Sequence, residues 1–365
     1  MVKNARTRKA CGIMLILFAA VIVVIAGCSN TATIQQTSVQ QASQVRNFTL
    51  YVRPVTVVTP DGQKIWSFGF TDDPKSDAKI PGPALIVNEG ETVNLTLIDD
   101  KDPTKTNSNT TGDGHTIHLH GLDLPSAMDG DPMTAPNGHS VLQGAQFLYH
   151  FVAKNAGTYW YHCHQGAAEH IQMGMYGPLI IRPKDGTNVA YSGTPKFDKE
   201  YTFVLSDMDS ALHQADFATL YQGGKEPNWT QYHPNYFFIN GKAWPDTMKD
   251  PSTNITAIVG QTVLVRLVNA GYVSHAMHSH GFHFLVVGSD GRKLDQPYYK
   301  DTLTIGPAER YDVIFKLDQV GRFMFHDHFE QMTTNNGEYP GGMITMINVN
   351  NPDGSNPTPM NMNKE

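Results

Sequence analysis

At 365 residues the chain is longer than one compact domain usually is, so two domains plus extensions are expected. Hydrophobic residues at 40% and charged residues at 17% suit a globular chain with a proper core and exclude a disordered or collagen-like one. The formal charge of −7, with no long basic stripe, argues against nucleic acid as a partner.

The amino terminus reads as an export address. Lys3, Arg6, Arg8 and Lys9 precede an apolar run, Gly12 to Ala26, that is too short to cross a bilayer comfortably. Residues 1–28 close on Ile25-Ala26-Gly27-Cys28, which resembles the bacterial lipoprotein box and implies a lipid on Cys28. An uncleaved anchor helix is the other reading, and either one leaves the folded part outside the cytoplasmic membrane. Residues 29–46, rich in Ser, Thr and Gln, read as a flexible tether. With Cys11 in the signal and Cys28 lipidated, Cys163 is the one free thiol of the folded part, so no disulfide framework is available. The Asn-x-Ser/Thr triplets at Asn47, Asn94, Asn109, Asn228 and Asn254 read as chance occurrences.

From Phe48 onward, short Val/Ile/Thr/Tyr-rich runs alternate with Gly, Pro, Asn and Asp clusters, and little helical periodicity is sustained. The reading is all-β. A duplication runs through it: Val87-Asn88-Glu89-Gly90-Glu91-Thr92-Val93 is echoed by Ile258-Val259-Gly260-Gln261-Thr262-Val263. His115-Thr116-Ile117-His118-Leu119-His120-Gly121 is echoed by His275-Ala276-Met277-His278-Ser279-His280-Gly281. Gly157-Thr158-Tyr159-Trp160-Tyr161-His162-Cys163-His164 is echoed by Gly321-Arg322-Phe323-Met324-Phe325-His326-Asp327-His328. Two copies of one Greek-key β-sandwich are expected, at 47–190 and 198–350, with a linker around Lys184 to Lys196 and a flexible tail at 351–365.

Residues two apart on a strand share a face, and residues one or three apart do not. His118 therefore pairs with His120, His162 with His164, His278 with His280, and His326 with His328, while His115 and Cys163 face the other way. Two sites set back to back are implied. On the Cys side, His170 and Met175 complete a set of two imidazoles, a thiolate and a thioether. That is the ligand set of a blue electron-transfer copper, with Met173 as a rival axial ligand. On the other side, eight imidazoles could serve three coppers, and three plus one makes the number of electrons that O2 needs to become water. In the second repeat Asp327 stands at the Cys position, and Thr334 and Tyr339 stand where His170 and Met175 stand in the first, so no blue site is expected there and His275 reads as a remnant or hydrogen-bonding residue. His139, His150, His213, His233 and His283 fit neither set and read as surface or supporting residues.

With these motifs the chain resembles the two-domain, laccase-like multicopper oxidases, whose type 1 copper lies in the first cupredoxin domain, and it is related to the copper nitrite reductases. The resemblance covers roughly Phe48 to Val349. It implies two tandem cupredoxin-like domains and four coppers per subunit. The type 1 copper falls to His115, Cys163, His170 and Met175, and the type 2 copper to His118 and His278. His120, His162, His164, His280, His326 and His328 are left for the type 3 pair. Cys163 then relays electrons through the backbone to its flanking histidines. Asp129, in Met128-Asp129-Gly130, matches the family's acidic step near the type 2 copper and is the candidate for proton handling, with a plain turn aspartate as the alternative. Family members of this length close head to tail as trimers, with each cluster between neighbouring subunits.

The expected activity is oxidation of a small reductant or redox protein at the type 1 copper, coupled to four-electron reduction of O2. His170 is expected near the edge where electrons arrive, because loop follows Cys163. Nitrite reduction is the alternative, disfavoured by the second histidine of several pairs, and cuprous-ion oxidation is a substrate choice within the oxidase reading. The 15 Met are mostly scattered, apart from Met128 with Met133 and Met360 with Met362.

Overall fold

The computed structural model describes residues 44–99, 114–135, 140–184, 186 and 188–357. The signal segment 1–28, residues 29–43 of the tether, Asn109, His139, Met360 and Met362 lie outside the described residues. Among the described residues no helix is long and apolar enough to cross a membrane.

The first sandwich contains β1 (Val45–Val58), β2 (Lys64–Thr71), β3 (Leu85–Asn88), β4 (Thr92–Asp99), β5 (His118–His120), β6 (Ala145–Val152), β7 (Gly157–His162) and β8 (Tyr176–Arg182), with one helical turn, α1 (Ala167–His170), between the last two strands. Val45 and Arg46, within the stretch read as tether, are already strand. The sheets run β2-β1-β4-β6 and β3-β8-β7-β5. Along β4, Val93, Leu95 and Leu97 are fully buried and alternate with half-exposed Asn94 and Thr96, the period of two that a sheet covered on one face requires. They meet Leu50, Val52, Leu119, Tyr161 and Leu179 in one core, which also encloses Cys163, Met173 and Met175.

The second sandwich follows with β9 (Lys199–Met208), α2 (Ser210–Gln222), β10 (Tyr236–Ile239), β11 (Ile255–Ile258), β12 (Thr262–Asn269), β13 (His275–Ser279), β14 (Phe284–Ser289), β15 (Arg292–Lys300), β16 (Thr302–Ile305), β17 (Arg310–Lys316), β18 (Gly321–Asp327) and β19 (Ile344–Asn350). Its sheets run β10-β9-β12-β17-β14-β15 and β11-β19-β18-β13-β16. The two halves are therefore all-β cupredoxin-like sandwiches. β5 pairs with β7 through His118 opposite His162, and β13 pairs with β18 through His278 opposite His326, so the repeat is kept down to register.

Sequence periodicity gave no sign of α2. Its ends are nonetheless encoded: Asp209 caps it by accepting from the Ala211 and Leu212 amides at 3.0 and 3.2 Å, and Gly223 stops it in the left-handed region. The helix leaves the second sandwich to pack on β2, where Phe217 and Tyr221 meet the Trp66 ring edge-on.

Polar bonds join the sandwiches at a buried seam. Asp312 on β17 accepts from Thr158 on β7 and from the Tyr191 hydroxyl, each at 2.5 Å. Arg266 on β12 donates to Thr158 at 2.9 Å, to Glu200 at 2.6 Å and to Asp312 at 3.3 Å. Tyr191 belongs to the linker, which packs against Leu264, Val287 and Ile314 of the second sandwich.

Candidate metal centres

The first cluster forms where β5 leads in, β7 ends and the α1 loop returns. Ligand atoms of His115, Cys163 and His170 all lie within 4.8 Å of one another, and all three side chains are fully buried. His170 Nδ1 is 3.2 Å from the Cys163 sulfur. The sulfur also accepts the Thr116 amide at 3.4 Å, a bond that steadies a thiolate. Met175 is buried and tied to the loop by backbone: its amide donates to the His170 carbonyl, and its carbonyl accepts the Cys163 amide, both at 3.0 Å. Met173 is equally buried.

Burial sets the protonation here. It pushes the His170 imidazole down to about 4 and, with the neighbouring His170, holds His115 well below the ordinary imidazole range, so both rings are neutral with a lone pair to give. Burial likewise raises the Cys163 thiol to about 11, so this sulfur becomes a thiolate only in exchange for a cation. His170 Nε2 is buried with no hydrogen-bond partner among the described residues. Two neutral imidazoles and a thiol, beside a core that holds two thioethers, fit copper, for which soft thiolate is selective.

The His170 ring is fully buried. The chain after Cys163 is not all loop: α1 tucks the ring inward, and the left-handed Gly166 lies over its Nε2, where a Cβ would sit 3.4 Å away.

On the opposite face of the same strands, His118, His120, His162 and His164 form a quartet. The His118 ring lies 5.4, 5.1 and 5.4 Å from those of His120, His162 and His164, respectively. His120 Nδ1 and His162 Nε2 converge to 3.2 Å. Two outward nitrogens of the quartet are fixed by oxygen atoms: His162 Nδ1 donates to the Cys163 carbonyl at 2.9 Å, and His118 Nδ1 donates to the Asp129 carbonyl at 2.8 Å. Each such bond leaves Nε2 as the lone-pair nitrogen, the usual arrangement for a metal-binding imidazole. The Asp129 carboxylate lies 3.4 Å from the same His118 nitrogen, and Asp131, which sequence reasoning missed, lies 3.5 Å from His164 Nδ1. Burial, then the Arg310 charge, lowers His120 to about 3, and burial holds His162 well down.

The second sandwich builds the matching quartet. The His278 ring is 5.1, 5.7 and 5.1 Å from those of His280, His326 and His328. His280 and His326 bring their Nε2 atoms to 3.2 Å. His326 Nδ1 donates to the Asp327 carbonyl at 2.8 Å, and His278 Nδ1 to the Asp301 carbonyl at 2.9 Å. This quartet is open to solvent, with His280 and His328 exposed. Among the described residues no ring of one quartet touches a ring of the other within the chain.

At the position equivalent to the first cluster, the second sandwich holds no thiol. His275 is fully buried between two carboxylates, with Nδ1 2.7 Å from Asp327 and Nε2 3.3 Å from Asp207. His150 bonds Asn94 at the surface and His283 is exposed, whereas His213 is buried against the Trp66 carbonyl at 2.5 Å. Sequence reasoning also missed an acidic group: Glu169, Asp216 and Glu226 bring carboxylate oxygens within 4.8 Å, with Glu169 next to His170 in the chain. Asp216 is buried, and desolvation followed by the Glu226 charge raises it to about 6.

Two cupredoxin sandwiches, one carrying a buried Cys-His cluster and each carrying a histidine quartet on the reverse face, define a copper protein of the two-domain class. Comparison narrows this: residues 75–186 and 212–339 each match a family model described as multicopper oxidase, and the chain belongs to that family. It is 28% identical to copper resistance protein A of Pseudomonas syringae pv. tomato over 273 residues, covering 64% of this chain and 41% of the relative, so it spans well under half of that protein's length. Among solved structures, it is 32% identical to the blue copper oxidase from Nitrosomonas europaea, with a TM-score of 0.69 and coverage of 84% of this chain and 86% of that one. It is 33% identical to the multicopper oxidase mgLAC, with a TM-score of 0.70 and coverage of 88% and 90%.

Proposed function

We propose that this protein is an exported, laccase-like copper oxidase that holds four coppers per subunit: type 1 on His115, Cys163, His170 and Met175; type 2 on His118 and His278; and type 3 on His120, His162, His164, His280, His326 and His328. The observation that carries the reading is the reversal of faces within His162-Cys163-His164, where the sulfur joins His115 and His170 while its two neighbours join the quartet behind. Copper bound at these sites supplies the one-electron steps by which a reductant is oxidised and O2 takes four electrons to become two waters. The chain's own part is to keep the imidazoles neutral by burial, to aim them through backbone carbonyls, and to carry protons. The Asp129 carboxylate, half-exposed and 3.4 Å from His118, is the group we assign to that last task.

Because the two quartets do not meet within one chain, a complete cluster calls for the first sandwich of one subunit against the second of a neighbour, in a head-to-tail homotrimer. The amino-terminal segment supports a lipid anchor through Cys28 outside the cytoplasmic membrane. A cationic reductant, cuprous ion included, is favoured by the group of three carboxylates that includes Glu169, the residue before His170 in the chain, and by the name of the copper resistance relative.

The test is copper-loaded protein assayed for metal content and for O2 uptake with a phenolic dye and with a cuprous salt, with nitrite in parallel. About four coppers per chain and O2 uptake are expected. About two coppers, with nitric oxide released from nitrite and no O2 uptake, would refute the oxidase reading.

A further inference from the structure

The second sandwich lost its thiol, yet the polar residues left there remain fully buried, and their bonds lead out of that sandwich. Asp327, the counterpart of Cys163, accepts from His275 and from the amides of Ala276 and Phe329, both at 2.9 Å. His275 passes the link to Asp207. Asp207 accepts from the Tyr272 amide at 3.0 Å and from the Tyr232 hydroxyl.

Both tyrosines then grip the first sandwich. The Tyr272 hydroxyl reaches the carbonyls of Ala167 and Ala168 at 2.8 and 2.9 Å, on the helical turn that presents His170. The Gln172 amide donates to the Tyr232 hydroxyl and to the Asp207 carbonyl, both at 3.1 Å, and its carbonyl accepts the Asp209 amide at 3.2 Å. Gln172 lies between His170 and Met175 and is only 3% exposed. The segment that carries two of the four type 1 ligands is thus held on both sides of His170 from the other sandwich. The first sandwich holds the same segment by backbone bonds, the Phe68 amide to the Met173 carbonyl at 3.2 Å and the Cys163 amide to the Met175 carbonyl at 3.0 Å, while α1 itself has no side-chain cap.

We infer that His275, Asp207, Tyr232 and Tyr272 form a brace that positions the His170-bearing segment, so that the remnant site of the second repeat sets the geometry of the metal site in the first. The inference rests on the type 1 reading given above. Their bonds go to the backbone before His170 and to the Gln172 side chain after it rather than to a ligand atom, so the four are positioning residues. A bond to the carbonyls just before His170 and another to the side chain just after it fix the turn in which the ring sits, as supporting hydrogen bonds do around metal-bound imidazoles generally. Burial makes each bond costly to leave unmade, because the groups have no water to turn to.

The test uses the full-length, copper-loaded protein. Y272F deletes only the hydroxyl on Ala167 and Ala168, H275Q removes the centre of the brace, and Y201F serves as a control, because its hydroxyl bonds the Thr256 carbonyl inside the second sandwich. Y272F and H275Q are expected to shift the type 1 visible absorption, its EPR hyperfine splitting and its reduction potential, and to release type 1 copper to a chelator about tenfold faster or more, with type 2 and type 3 signatures unchanged. Y201F is expected to leave the type 1 signals at wild-type values. If H275Q does not fold, Y272F decides. Wild-type spectrum, potential and release rate in Y272F, even with a lowered melting temperature, would overturn the brace and leave the oxidase reading standing. Wild-type protein that binds copper without any type 1 signature would overturn both.

Discussion

His120 Nδ1 and His162 Nε2 lie 3.2 Å apart, and His280 and His326 repeat that separation between their Nε2 atoms in the second sandwich. Ring nitrogens this close either share a proton or share a cation. With the outer nitrogens of His162 and His326 already donating to backbone carbonyls, the inner ones are lone pairs, and a proton on either ring competes with metal.

That competition fixes the acid side of stability. The folded values of His120 and His170, about 3 and about 4, lie below the unfolded value of 6.5, and His115 and His162 are lowered too. Below 6.5 the unfolded chain therefore binds more protons than the folded one, and stability is lost as pH falls towards 4. Copper-free protein should show a melting temperature that drops through this window, and copper should leave the loaded protein over the same range. A flat profile between pH 7 and 4 would contradict it.

His275 governs the opposite side. Burial by itself would lower its pKa, but the bonds to Asp207 and Asp327 outweigh that and raise it to about 9. Its contribution is complete below 6.5, the unfolded value, and is lost as pH rises through about 9. H275Q should flatten the alkaline limb of a thermal-stability profile and leave the acid limb in place.

The thiol carries the type 1 assignment. C163S should fold, lose the blue absorption, bind about one copper fewer per chain and retain less than about 1% of oxidase activity, because a hydroxyl is not a soft ligand. Unchanged copper content would show that the sulfur is not a ligand. At the axial position, M175L should raise the type 1 potential by tens of millivolts or more, since losing a donor disfavours the oxidised ion, while M173L should leave it alone.

The proposed sharing of each cluster between subunits predicts complementation. H120A disables the first-sandwich quartet and H280A the second, so each protein alone should be inactive. In co-assembled mixtures a site built from the intact halves of two different chains recurs in about a quarter of interfaces, and about that fraction of activity should return. No recovery after verified co-assembly would mean that the quartets join in some other way.

At the seam between sandwiches, Arg266 is fully buried and held by Asp312, Glu200 and Thr158. D312A leaves that guanidinium short of a carboxylate and should destabilise the fold by about 3–5 kcal/mol, whereas R266M/D312L, which removes both charges, should cost far less. Chemical denaturation of the three proteins measures the difference.

The fold and the grouping of the histidines were legible because these residues sit on strands or just past their ends, where spacing in sequence is direction in space: His118 and His120, or His162 and His164, declare a common face by parity. The repeat extended this to the second half. What was not legible depends on residues distant in sequence. Asp131 and Asp207 look like any turn or strand-end acid until folding brings them to His164 and His275. Glu169, Asp216 and Glu226 come from α1, α2 and the loop after α2. The α2 helix kept its cap signals, Asp209 and Gly223, but its inward residues answer to a neighbouring sandwich rather than to one apolar stripe. The helical turn that holds His170 was not legible because four residues are too few to show a period.

Thr158, pinned to Asp312, and His162 stand on the same short strand. The seam therefore fixes the angle at which one molecule presents its two quartets, and that angle is the curvature of any ring the molecules close. In the head-to-tail ring proposed above, the size of the assembly would thus be encoded inside the protomer, and loosening the Arg266 and Asp312 contacts would unsettle the number of copies before it altered a single histidine.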